Sequence, residues 1–359
     1  MANAVDWATA EWVARGIAKR SSSTPASSSA SIHRDFEELT AQAQTLVEAH
    51  TGWRSDAGLA RARVVDRDDW IRANIASFRR MLRPLTDRLE EHLPAGPANF
   101  VASRVAGAEM GAVLGWMSTR VLGQYDLLVL EDEDPDDQDI VYYVGPNIAA
   151  LERRFDFPER EFRLWVALHE VTHRTQFTGK PWLRSYFLEQ VNGLMTMADP
   201  DPARFFAAIG RLAEAIRTRR NPLDDGGIVT LFATPEQRQT MDRVGGLMSL
   251  LEGHGDVTMD RAGGDRIPSA ERFGSVLRAR RKNASTPARV VQKLIGLEAK
   301  LAQYEQGEQF IAAVEATGGS PMLELAFAGP DSLPTLAEIR EPQRWVERVG
   351  RVPLPAAGR

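Results

Sequence analysis

Apolar residues recur at helical spacing along most of this chain, and two short runs depart from it. Asp35 to His50 and Asp68 to Leu93 show the periodicity of amphipathic helices, the second ended by LPAGPAN. Asn99 to Leu122 is the most apolar long segment, with Gly107, Gly111 and Gly115 on one face where another backbone could approach. GQYDLLVL (Gly123 to Leu130) and DIVYYVGPNI (Asp139 to Ile148) are instead β-branched and aromatic, and read as the strands of a hairpin. From Asp156 onward the pattern is helical again. DFPE supplies an Asp156 cap with Glu159 three residues on, and the helix it opens runs to about Phe177. Further helices are predicted at Trp182 to Met197, Pro202 to Arg219, Pro235 to Asp260, Ala270 to Lys282 and Ala288 to Ala316. The proline-rich end from Gly329 reads as loop with short helices. The predicted class is mainly α (α+β), a small hairpin or sheet packed on a helical body.

Ser21 to Ser31 is low in complexity and reads as a linker, so the expected organisation is a first helix with its linker over 1–32 and one domain over 33–359. Arg104, Glu109 and Arg120 are too many charges for a membrane span of about 20 residues. The N-terminal twenty residues lack a secretory apolar core, and the chain is read as cytoplasmic. Trp7 and Trp12 are expected to dock onto the body. A net charge of −5, with only short arginine clusters, gives no footprint for nucleic acid. The chain has no cysteine, so a metal would have to sit on histidine and carboxylate.

That constraint matters because LWVALHEVTHRTQF, Leu164 to Phe177, contains His169, Glu170 and His173. Residues four apart on a helix lie one turn above each other, so both imidazoles can face one ion. Glu170 is about 100° around the axis, placed to take a proton from a water activated by zinc. A third ligand is needed. Gln176 and Gly179 stand where the extended motif has glycine and a third histidine, which excludes that pattern. LLEGHGDVTMD offers Glu252 as the leading candidate, with Asp256 one turn on to orient a ligating imidazole. His254 is the alternative ligand if Gly253 and Gly255 distort the helix, or else an oxyanion donor or an exposed residue. Glu189 is a weaker candidate. Tyr304 is a core tyrosine or an oxyanion donor. Asp132, Asp134 and Asp136 alternate as in a calcium loop, but Asp137 and Tyr143 replace its glycine and closing glutamate. A di-iron bundle needs a second Glu-x-x-His pair, which the chain lacks.

VLGQYD (Val121 to Asp126), GPNI, LHEVTHRTQF, SLLEGHGDVTMD, GLEAKLAQYEQGEQFI (Gly296 to Ile311) and LPTLAEI (Leu333 to Ile339) together resemble the zincin-like metallopeptidase family, formerly a domain of unknown function. Some members are labelled as associated with biosynthesis of a deazaflavin coenzyme. The resemblance implies a zincin-like core with His169 and His173 as metal ligands and Glu170 as base. The expected activity is zinc-dependent hydrolysis of a peptide or small amide, the alternative a non-catalytic zinc-binding scaffold.

Overall fold

The computed structural model describes residues 3–20, 29–93, 96–125, 139–197, 234–282 and 297–350. Residues 21–28, the acidic connector through 138 and the helix predicted at 202–219 lie outside them. The chain divides into two compact units, Met1–Gly179 with Thr258–Asn283, and Lys180–Val257 with Ala284–Arg359.

The first unit carries α1 (Trp7–Arg20), α2 (Ser29–Thr51), β1 (Arg61–Val65), α3 (Arg67–His92), α4 (Pro97–Ser118), β2 (Gly123–Tyr125), β3 (Ile140–Val144), α5 (Gly145–Phe155) and α6 (Glu159–Gly179). The sheet order is β1-β3-β2. β2 pairs antiparallel with β3, Gly123 opposite Tyr143 and Tyr125 opposite Val141, while β1 pairs parallel with β3 from Arg61–Ile140 to Val65–Val144. β3, IVYYV, is the central strand and is buried at every residue, as a strand covered on both faces must be. β1 was not predicted. Two further readings are corrected here. Gly145 to Ile148 is the first turn of α5, opened by Pro146, because a proline in the first turn leaves no intrahelical bond unmade. Asp156 does not cap α6; it closes α5 in the left-handed conformation, φ 48°. α2 also starts earlier than read, at Ser29.

Two features hold α6. Phe162, Val166 and Leu168 enter a core with Phe36, Phe157 and Phe273, where Phe36 stacks on Tyr143 at 3.9 Å between ring centroids. Burial of each such side chain stabilises the unit by roughly 1.5–3 kcal/mol. Charges fix the helix at both ends. Arg163 takes a bidentate grip on Glu152, at 2.8 and 2.9 Å, and reaches Glu159 at 2.7 Å. Burial pushes the Glu152 carboxyl above its usual range, against the opposing pull of Arg163. Arg174, fully buried, bonds both oxygens of Asp139 and the carbonyl of Gly58.

α1 lies along α4 through the predicted glycine face. A Cβ on Gly107 would strike the carbonyl of Asp6, one on Gly111 that of Ala10, and one on Gly115 that of Ala14. Ala10, Ala14 and Ala18 are buried there, while Trp12 stays 78% exposed.

The second unit contains α7 (Pro181–Met197), most of α8 (Pro235–Gly263), α10 (Leu297–Leu325), α11 (Leu336–Arg340) and α12 (Pro342–Val349); α9 (Ala270–Lys282) belongs to the first. α8 and α10 meet at Gly253 and Gly307, where either glycine's Cβ would strike the other helix's backbone. α10 is broken at Gly319, φ 68°. No helix among the described residues is long and apolar enough to cross a membrane.

Candidate metal centre

α6 presents His169 and His173 one turn apart, as the spacing requires. Their Nε2 atoms are 3.2 Å apart, with ring planes at 87°. Two nitrogen corners of a tetrahedron around zinc, each about 2.0–2.1 Å from the ion, stand about 3.3 Å apart. The observed pair matches that edge. Two imidazole nitrogens at this distance need a proton or a cation where they face each other, since two lone pairs would repel.

Gln176 selects between the tautomers of His173. Its Oε1 lies 3.0 Å from Nδ1 and accepts the proton there, which turns the Nε2 lone pair toward His169. Gln176 is fully buried, which fixes its amide in turn. Sequence reading used this residue only to exclude the extended motif. Its signal was the position three residues after His173, on the same face of the helix.

Glu252, on α8 in the second unit, is 4% exposed. Its carboxylate is a candidate third donor for the pair on α6, as the sequence suggested.

Glu170 is buried beside them on α6, and its side chain lies against Gly123 at the start of β2. Facing it in the sheet, Tyr143 is wholly buried, its hydroxyl 2.8 Å from that of Thr40. Burial, and to a smaller degree the charge of Glu170, hold the Tyr143 hydroxyl in its protonated form well above its usual range.

The remaining candidates fall elsewhere. His254 is not exposed: it is buried on α8 with its ring 5.0 Å from that of Phe327, edge to face. Asp256 is half-buried one turn after Glu252, and Glu189 is exposed on α7. Tyr304 sits on α10, its side chain outside the described residues, as is the acidic connector of the calcium reading.

A helical body with a three-stranded sheet lying on a helix that bears H-E-x-x-H is a zincin-like architecture. The model of the zincin-like metallopeptidase family matches residues 5–346, and the chain belongs to that family. It is also similar, at 30% identity and a TM-score of 0.71, to a crystal structure from Chloroflexus aurantiacus described as "a putative hydrolase with a novel fold"; the match covers 97% of this chain and 99% of that one. No curated protein matches. Family and neighbour together support a metal-dependent hydrolase in general terms, and family membership implies a metal that is typically zinc.

Proposed function

We propose that the protein is a zinc-dependent hydrolase of amide bonds, acting on a peptide or small amide, with His169, His173 and Glu252 as ligands and Glu170 as general base. The observation that carries this reading is the His169–His173 pair on α6, whose Nε2 atoms lie 3.2 Å apart, as two corners of a tetrahedral zinc would. Zinc held there supplies Lewis acidity, which polarises a carbonyl and lowers the pKa of a nearby water toward about 7.

The chain's own groups do the rest. Gln176 keeps the Nδ1 proton of His173 and so keeps its Nε2 basic toward the ion. Glu170 is one residue along the helix from His169, which turns its carboxylate out of the ligand set and toward the nucleophile. It takes the proton from the attacking water and delivers it to the departing nitrogen. Among the described residues β2 is the edge strand of the sheet on the side of α6, and an extended peptide can add to such an edge by main-chain hydrogen bonds.

Glu170→Gln tests the assignment. Zinc should stay at one per chain, and cleavage of an unstructured peptide library should fall by about 10²–10⁴-fold. Undiminished cleavage would refute the role of Glu170, and a wild-type chain that takes up no zinc would refute the whole reading.

A further inference from the structure

β2 begins with a glycine whose reason is not its backbone. Gly123 has no positive φ, so its conformation is open to any L-residue. Space is the remaining reason. A Cβ built on Gly123 would lie 2.6 Å from Cγ of Glu170, 2.8 Å from Cδ and 2.8 Å from Oε1, and its three nearest neighbours are all in that one side chain. Contact between carbons begins near 3.5 Å, so something would have to move.

The strand is the less yielding partner. β2 is paired to β3, Gly123 opposite Tyr143, and the flanking Leu122 carbonyl accepts from Val144 N at 2.8 Å. Tyr143 is itself locked by Phe36 and Thr40. α6 is anchored through Arg163 and Arg174. Between two fixed backbones, the movable element is the end of the Glu170 side chain.

We infer that Gly123 is a positioning residue: its missing side chain is the slot in which the Glu170 carboxylate is held for proton transfer. Any larger residue there would leave the fold and the ligand set in place and push the base aside. This rests on the role proposed for Glu170, but the steric relationship can be read without turnover.

Four full-length proteins test it: wild type, Gly123→Ala, Glu170→Ala and the double variant. In the metal-free state, Gly123→Ala should lower the unfolding midpoint by about 2–6 °C in the presence of Glu170 and by less than about 1 °C once residue 170 is alanine. The crystal structure of zinc-soaked Gly123→Ala should show the Glu170 carboxylate displaced by about 1 Å or more, with His169 and His173 unmoved; such a misplacement is enough to cost about 10²-fold in kcat with KM unchanged. Zinc content should equal that of the wild type. A carboxylate that stays where it was, or an equal loss of midpoint in both backgrounds, overturns the inference. A wild type devoid of zinc would sink the proposed hydrolase while leaving this thermal cycle readable.

Discussion

Gln176 Oε1 accepts from Nδ1 of His173 at 3.0 Å, three residues on along the same helix. A neutral side chain here does the work that a carboxylate often does behind a ligating histidine. Gln176→Leu removes the acceptor in a buried place, and zinc affinity should fall about 10–100-fold, measured by competition with a chromogenic chelator. Gln176→Glu should bind at least as tightly as wild type. Unchanged affinity in the leucine variant would mean that the tautomer is set some other way.

Metal should also report on stability. If zinc binds the folded chain alone, free zinc at about 100 times its dissociation constant adds about 2.7 kcal/mol. Calorimetric midpoints should therefore climb with free zinc, and His169→Ala should flatten that dependence. A midpoint indifferent to zinc would contradict the ligand assignment.

Glu338 gives a pH prediction away from the metal. Burial alone would raise its carboxyl, but Arg348 at 2.6 and 3.0 Å and the Thr335 cap outweigh this, and the net shift is downward from 4.5. A depressed acid stabilises the fold above its unfolded value, and that contribution disappears as pH falls through the lower folded value. The stability gap between wild type and Glu338→Gln should thus be full near neutrality and shrink progressively as pH falls below 4.5, the usual carboxyl value. Urea midpoints taken across that range measure it; a gap independent of pH would be the contrary result.

At the α1–α4 crossing, Gly111→Val would drive a branched side chain into the Ala10 carbonyl. The cost should be at least about 1–3 kcal/mol. Limited proteolysis should then cut within α1 faster than it does in the wild type. An unchanged rate would show that α1 is held by other means.

Much of this was legible in the sequence where the signal is local. H-E-x-x-H and the four-residue spacing of Gly107, Gly111 and Gly115 are helix-face patterns, and both landed as read. β1 was not legible: RARVV spends two of its five positions on arginine, and its only reason to be a strand is parallel pairing with β3, distant in sequence. GPNI was misread because β3 runs straight into it, although Pro146 carried the opposite signal. Asp156 sits where two helices nearly touch, so one polar residue served equally as the end of the first or the start of the second. Gly123 and Gln176 act through what they lie against, and only the folded chain shows that.

The stripe on α4 has one more implication. Asp6, just ahead of α1, and Ala10 and Ala14 on it follow the same stride of four as Gly107, Gly111 and Gly115 on α4, so the two helices run parallel like a pair of matched rulers. Sliding one past the other by a full turn would again set backbone over glycine, and the small residues by themselves therefore do not choose the alignment. The choice is made at the lower end of the scale, where Asp6 N donates to the Ser103 carbonyl at 2.9 Å and its carboxylate meets Arg104 at 3.5 Å. An aspartate ahead of the helix thus acts as the zero mark for everything above it.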